Sequence, residues 1–149
     1  MCAIREIVGD IWKYHQRGSY VVITTNLITD RKGNAVMGAG IALQAAEKFP
    51  DIKRIYGKYL REGYKMMSVP QYRLFLLPTK IHWKQPSNLE LIEEGLDALV
   101  VWSKSLDPSP YVALPRIGCG LGKLDWNTQV RPIVEKYLST PNFAVINPF

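Results

Sequence analysis

Two glycine-rich segments of the sequence each lie between a predicted strand and a predicted helix. The first occupies residues 34–42 and leads into a helical pattern, and the second occupies residues 115–122 and follows a short apolar strand. Glycine lets a ligand approach the main chain closely, and the first N–H groups of a helix have no acceptor within that helix. Each segment alone is more often an ordinary tight turn, but two at equivalent positions favour a site that binds phosphate through backbone amides.

Strands and helices alternate along the chain. Runs of β-branched and alternating apolar residues predict strands at 4–8, 20–25, 72–77, 111–114 and 143–146. Helical spacing predicts helices at 42–49 and 51–62, one that begins with a Ser-x-x-Glu capping box at Ser87, and one over 130–138. We therefore expect an α/β fold, a three-layer α/β/α sandwich with a central mixed, mostly parallel sheet. Both glycine turns would then leave the carboxyl edge of the sheet and face one crevice, which suits a diphosphate.

Composition sets broad limits on the class of protein. The 149 residues, 47% of them apolar, are enough for a single domain over 1–149. No apolar run approaches the roughly 20 residues that span a bilayer, and the first residues build no signal peptide, so we expect a cytoplasmic protein. The net charge of +6 favours a polyanionic partner or a phosphate-bearing ligand, although a solvated basic surface also explains it. Two cysteines and two histidines are too few for a zinc site, and we expect no metal and no cofactor.

Two familiar nucleotide-binding motifs are incomplete in this chain. Neither glycine segment contains the full G-x-G-x-x-G of a dinucleotide-binding turn. The pair Gly122-Lys123 lacks both the earlier glycine and the following Ser or Thr of a P-loop. The spacing therefore disfavours Rossmann oxidoreductases and P-loop ATPases.

Four motifs in a fixed order resemble those of a macrodomain. They are Gly9-Asp10-Ile11, the strand Val21 to Asn26, the segment Met37 to Gln44, and the segment Pro115 to Leu121. Together they extend over nearly the whole chain, which makes the resemblance far more specific than either glycine turn. Within the family, the chain resembles most the branch of the terminal ADP-ribose protein glycohydrolase, the DNA ADP-ribosyl glycohydrolase antitoxins, and small macrodomains of phages and bacteria.

The resemblance implies an ADP-ribose ligand, with adenine near Asp10 and Ile11, the distal ribose near Asn26, and the diphosphate between the two glycine turns. The turn residues expected to bind this ligand are Met37, Gly38, Ala39, Gly40, Ile41, Ala42, Pro115, Arg116, Ile117, Gly118, Cys119, Gly120, Leu121 and Gly122. Two of the proposed contacts have simpler alternatives. Asp10 could cap a short helix over 11–16, and Asn26 could hold a turn at the end of its strand.

Lys80 is the candidate catalytic residue. It follows Thr79 just past a predicted strand, and the resemblance implies that a lysine in a matching Thr-Lys segment acts at the anomeric carbon of the distal ribose. The protein-directed enzyme of this branch has an acidic residue where this chain has Gly122, whereas the DNA-directed relatives tolerate glycine there. Asp125 could approach the site, but capping of the following helix is the simpler role.

Four other side chains have open roles. His82 and Trp83 could contact a flipped or single-stranded base, or they could pack on the core as rim aromatics. Cys119 fits a small turn position, and no His/Asp arrangement identifies it as a nucleophile. Phe149 could stack on adenine or fill a hydrophobic gap at the end of the chain.

These motifs predict an ADP-ribosyl hydrolase that removes ADP-ribose from a modified macromolecule, DNA or protein, with Lys80 acting at the anomeric carbon. Three alternatives stay open: a non-catalytic ADP-ribose-binding module, a phosphatase acting on ADP-ribose 1″-phosphate, and a basic nucleic-acid-binding protein with no nucleotide pocket. The expected partners are ADP-ribose or an ADP-ribosylated macromolecule, with nucleic acid as one candidate substrate. We expect a monomer that does not associate with membranes.

Overall fold

One mixed sheet forms the centre of the computed structural model, which describes residues 4–148. Its strands are β1 (Arg5–Val8), β2 (Tyr20–Asn26), β3 (Met67–Val69), β4 (Leu74–Lys80), β5 (Val112–Leu114) and β6 (Phe143–Asn147). Their order across the sheet is β1-β6-β5-β2-β4-β3. The edge strand β3 runs antiparallel to β4, and the other neighbouring pairs are parallel. The prediction of a mixed, mostly parallel sheet is therefore confirmed.

Helices cover both faces of this sheet. They are α1 (Ile11–Gln16), α2 (Gly40–Lys48), α3 (Ile52–Arg61), α4 (Leu89–Lys104) and α5 (Arg131–Tyr137). None of these helices is long and apolar enough to cross a membrane. Apolar residues of α4 and α5 pack against one face of the sheet, and those of α2 and α3 pack against the other. In β2, Val22 joins the first cluster whereas Val21 and Ile23 join the second, so the two-residue period of a strand builds the predicted three-layer sandwich.

The structure differs from the predicted elements in three places. The strand expected at 72–77 begins later, as β4, because Pro70–Tyr72 form a short 3₁₀ turn and Arg73 has a left-handed φ of 51°. The N-cap of α4 is Asn88, whose side chain accepts a backbone N–H bond from the first turn, and not Ser87. The strand β3 was not predicted because three residues are too few for a periodic pattern.

The parallel strands bring the candidate residues to one edge of the sheet. Because β1, β2, β4 and β5 run in the same direction, the residues that follow them meet at a common carboxyl edge. Asp10 comes shortly after β1, Asn26 ends β2, and Lys80 ends β4. The second glycine turn begins directly after β5. This edge is where the fold positions a site.

Candidate functional site at the carboxyl edge of the sheet

A cavity of about 760 Å³ opens between the two glycine turns. Its walls come from the ends of β2 and β4, from both turns, and from the loop after β4. The described residues that line it are Thr24, Thr25, Asn26, Val36, Met37, Gly38, Ala39, Gly40, Ile41, Ala42, Thr79, Lys80, Trp83, Lys84, Gln85, Ser87, Pro115, Arg116, Gly118, Cys119, Gly120, Leu121, Gly122 and Lys123. This set holds four cationic side chains and no carboxylate, so the charge of the walls favours an anionic ligand.

The first glycine turn presents an uncapped helix start to this cavity. The N-cap residue of α2 is Ala39, which has no side-chain acceptor for the helix. The first N–H groups of α2, at Gly40, Ile41 and Ala42, therefore have no side-chain partner. Gly40 has a φ of 56°, and a Cβ at Gly38 or Gly40 would meet nothing within 4 Å. Free donors at the positive end of a helix dipole are suited to a phosphate.

The second glycine turn forms another wall and also exposes amides. The chain turns at Gly118, which has a φ of 76° and whose carbonyl accepts a hydrogen bond from Leu124 N at 3.0 Å. Within residues 4–148, no backbone hydrogen bond uses the N–H groups of Gly120, Leu121 or Gly122. A turn that leaves successive amides unpaired is an anion-binding concavity.

Two residues of the second segment have their side chains engaged elsewhere. Ile117 does not line the cavity, although the sequence predicts ligand contact for it, because its apolar side chain is fully buried in the core beside α4 and α5. Arg116 lines the cavity, but its guanidinium pairs with Glu6 at 3.1 Å and lies over the ring of Trp126. Burial would raise the pKa of Glu6, but hydrogen bonds from Trp126 and Arg116 outweigh it and lower that pKa. Arg116 therefore has a structural partner.

Lys80 is half-buried at the end of β4, and its amine is held by two carbonyl groups. Its Nζ donates to the carbonyl oxygen of Leu121 at 3.2 Å and to that of Trp83 at 3.4 Å. The first carbonyl belongs to the second glycine turn, and the other belongs to the loop after β4. These bonds fix the amine at the cavity wall, beside the unpaired amides of that turn.

Ser87 is a cavity residue to which the sequence pattern assigns a different role. The capping box predicts that its hydroxyl caps α4, but Asn88 does so. The Ser87 hydroxyl is buried and has no hydrogen-bond partner among the described residues. Its backbone N–H donates to Gly122 O at 2.9 Å, and a Cβ at Gly122 would lie 2.2 Å from Ser87 Oγ. That Cβ would also lie 2.4 Å from the backbone carbonyl oxygen of Gly118, so position 122 requires glycine and has no room for an acidic side chain.

A second cavity, of about 710 Å³, adjoins the first and shares Gly40, Ile41 and Pro115 with it. The two residues that the resemblance places near adenine, Asp10 and Ile11, line this second cavity. One carboxylate oxygen of Asp10 accepts a backbone N–H of α1 at 3.0 Å, so Asp10 also has the capping role that was its alternative. All the sequence-predicted ligand-binding residues except Ile117 therefore line two adjoining cavities that meet at the start of α2.

Two further polar residues bond to neighbouring backbone. Asn26 Nδ2 donates to Val36 O, and Asn26 Oδ1 accepts from Ile28 N, each at 3.0 Å. Asn26 thus holds the turn at the end of its strand while it lines the cavity. Asp125 accepts from the hydroxyl of Thr128 at 2.6 Å and from its N–H at 2.8 Å, and these bonds lower the pKa of its carboxyl. Asp125 caps the following helical turn and does not line the cavity.

The remaining candidates differ in how deeply they are buried and in whether they line the cavity. Burial raises the pKa of the Cys119 thiol to about 11, so the thiol stays protonated near neutral pH. Trp83 lines the cavity with 46% of its surface exposed, whereas His82 does not line it. Phe149, a candidate for stacking on adenine, lies outside the described residues.

Comparison with known proteins relates this site to a family. No family model matches the chain. The DNA ADP-ribosyl glycohydrolase of Mycobacterium tuberculosis is 36% identical over an alignment of 124 residues, and the match covers 76% of this chain and 35% of that protein. The chain spans about a third of the length of the curated relatives it matches.

Solved structures match the fold over nearly its whole length. The macrodomain of Thermus aquaticus DarG has a TM-score of 0.73 and 31% identity, covering 97% of this chain and 96% of that one. The structure of Thermosipho africanus DarTG in complex with ADP-ribose has a TM-score of 0.72 and 25% identity, covering 93% of this chain and 39% of that one. Shared sequence across the full Thermus domain, together with the sandwich and its two glycine turns, decides the assignment. The chain belongs to the macrodomain family, on the branch that contains DarG.

Proposed function

We propose that this chain binds ADP-ribose and hydrolyses the bond that joins it to modified DNA. One observation carries the proposal: two turns with unpaired amides flank a cavity that also contains the amine of Lys80. The relatives support it, because they are named DNA ADP-ribosyl glycohydrolases and a structural neighbour was solved with ADP-ribose.

In this proposal the diphosphate lies between the two glycine turns. The N–H groups at the start of α2 and those of Gly120 and Leu121 donate to its oxygens, and hydrogen bonds to a charged group contribute about 1.5–3 kcal/mol each. The adenosine extends along α2 into the second cavity, toward Asp10. The distal ribose extends the other way, toward Asn26 and Lys80, which places its anomeric carbon, C1″, near the amine.

Lys80 acts at C1″. An amine that donates two N–H bonds to fixed carbonyls has its remaining tetrahedral position directed elsewhere, so the neutral form offers a lone pair to C1″ or to a water beside it. The bond from C1″ to the acceptor atom breaks, and its electron pair stays on the acceptor. When the amine itself attacks, water then breaks the new bond between Nζ and C1″, and that electron pair returns to Nζ. Water supplies the oxygen that ends on C1″ and the proton that ends on the acceptor. The products are free ADP-ribose and the unmodified acceptor.

Calorimetric titration with ADP-ribose, followed by release assays on ADP-ribosylated DNA, tests the proposal. The wild-type chain should bind and release ADP-ribose. Lys80→Ala should retain affinity but lose about 10²- to 10⁴-fold in turnover. Lys80→Arg keeps the positive charge but lacks the amine, so it should be as inactive as Lys80→Ala.

Three outcomes would contradict the proposal. Absence of heat with ADP-ribose removes the nucleotide site altogether. Full turnover by Lys80→Ala removes the catalytic role of the amine. Release of phosphate from ADP-ribose 1″-phosphate, with none from modified DNA, would identify a phosphatase instead.

We also propose that residues 1–149 act as one macrodomain and as a cytoplasmic monomer. Residues of one chain line both cavities. Light scattering on the purified protein should give a mass near 17.0 kDa. A dimer mass that persists on dilution would contradict the monomer.

A further inference from the structure

We propose that Trp83 and Leu121 form a clamp, here called the acceptor clamp, that holds the modified nucleobase of a single-stranded nucleic acid at the mouth of the cavity. The inference rests on the proposed function, because it concerns the group from which ADP-ribose is removed. It goes beyond that function by assigning a binding surface to the acceptor side of the bond.

Both residues of the acceptor clamp bond the Lys80 amine through their backbone. The backbone carbonyls of Trp83 and Leu121 both accept hydrogen bonds from Lys80 Nζ, at 3.4 Å and 3.2 Å. Both residues line the cavity, and their side chains are 46% and 65% exposed. Because C1″ lies near Lys80 in the proposed function, the group attached to C1″ leaves the cavity between these two apolar side chains.

The chemistry of the acceptor clamp suits a flat aromatic ring. An indole stacks on any nucleobase, and an exposed leucine provides an apolar surface that a base can cover. The Nζ of Lys84 lies 5.1 Å from the centroid of the Trp83 ring. Such a contact is weak at an exposed site, so a base can replace the ammonium on the ring. An aspartate or glutamate acceptor would instead present a flexible polar chain to these two surfaces.

Charge at the cavity mouth fits the phosphates of a nucleic acid strand. The side chains of Lys84 and Lys123 are exposed and line the cavity. The described lining residues include no carboxylate that could pair with them. In the proposed function the diphosphate is bound by backbone amides, so both lysines are available for phosphates on either side of the modified base. A base inside a duplex is stacked and cannot enter the cavity, which favours a single strand or a flipped base.

Kinetics on a single-stranded oligonucleotide with one ADP-ribosylated base test the acceptor clamp. Trp83→Ala should raise KM by about 5- to 150-fold, which corresponds to the loss of one base–aromatic stack. Leu121→Ala should raise KM less, and Trp83→Phe should restore most of the loss. The affinity for free ADP-ribose should not change in Trp83→Ala or in Trp83→Phe. Tyr111→Ala is the matched control, because Tyr111 is 70% exposed and precedes β5 at the opposite edge of the sheet.

The salt dependence of oligonucleotide binding tests the role of Lys84 and Lys123. Each phosphate contact to a single strand contributes about 0.7 to the steepness with which log affinity falls with log salt concentration. For binding of the oligonucleotide, the double variant Lys84→Gln/Lys123→Gln should therefore reduce this steepness by about 1.4.

Three results would overturn the acceptor clamp. The first is an unchanged KM for the oligonucleotide in Trp83→Ala. The second is an equal loss of affinity for free ADP-ribose in that variant, which would place the indole in the nucleotide site. The third is an equal dependence on Trp83 for release from an acidic residue of a protein, which would show that the indole does not recognise a nucleobase. Failure of the wild-type chain to bind ADP-ribose would instead refute the proposed function.

Discussion

An acidic residue at position 39 should stabilise the free protein and weaken its binding of ADP-ribose. Ala39 is the N-cap of α2, with the extended backbone of a cap residue, φ −153° and ψ 159°, but it has no side-chain acceptor. Ala39→Asp would supply an oxygen to an N–H of the first turn. Replacing alanine by a good N-cap stabilises a protein by about 0.5–2 kcal/mol. In a domain of this size, about 1 kcal/mol raises Tm by about 2–4 °C.

The same substitution should lower the affinity for ADP-ribose. The amide that the new carboxylate bonds is one that donates to the diphosphate in the proposed function. Losing one hydrogen bond to a charged group costs about 1.5–3 kcal/mol, which corresponds to about 10- to 150-fold in Kd. Repulsion between the carboxylate and the diphosphate adds to that loss. Ala39→Ser supplies a similar cap without the charge, so it should stabilise the protein while weakening ADP-ribose binding less.

Urea unfolding and calorimetry in one buffer measure both effects. Ser139→Asp makes the same change of charge at an exposed position between α5 and β6, and it should alter neither quantity. A variant Ala39→Asp that is more stable but binds ADP-ribose as before would place the diphosphate away from α2. A variant that is less stable would show that residue 39 does not have the geometry of a cap.

Three other substitutions and modifications test the packing around the site. Gly122→Ala should lower the free energy of unfolding by about 1–3 kcal/mol because its Cβ would contact Ser87. Gly120→Ala is the matched control, since its Cβ meets nothing within 4 Å. Equal stability of the two variants in urea would contradict the predicted clash. Gly95→Ala should cost a similar amount, since its Cβ would lie 2.5 Å from a leucine of β4, and unchanged urea unfolding would exclude that close approach. The Cys119 thiol should react slowly with iodoacetamide near neutral pH and faster toward pH 11, as measured by peptide mass mapping. Rapid alkylation near neutral pH would show that the thiol is ionised there.

The fold was largely predictable because each element carries its own period. Alternate residues of β2 enter opposite core clusters, which is what a two-residue period demands of a strand covered on both faces. The start of α4 was not predictable at the same level, because Ser87 and Asn88 are both good caps. The choice depends on backbone that the tertiary structure fixes: Asn88 is extended, with φ −111° and ψ 119°, and Ser87 N–H is bonded to Gly122 O.

Positions in the candidate site were easier to predict than side-chain directions. Lys80 and Asn26 reach the cavity because parallel strands end at one edge, a consequence of topology that the alternation of elements already implies. Arg116 turns to Glu6, a partner on β1 that no local pattern connects with the second glycine turn. Ile117 fills the core because an apolar side chain beside α4 gains more from full burial than from exposure in an open cavity.

The two parts of the site respond differently to changes of sequence. The diphosphate contacts come from main-chain amides, which every residue except proline supplies, so Gly120→Ala, whose Cβ meets nothing within 4 Å, should leave them in place. A larger residue that fills the space between the turns, as Gly120→Val should, removes them. The acceptor side depends on the side chains of Lys80, Trp83 and Leu121, and substitutions there change which macromolecule can be processed. Loss of ADP-ribose affinity in Gly120→Val, together with its retention in Trp83→Ala, is therefore the pattern that separates nucleotide binding from acceptor binding.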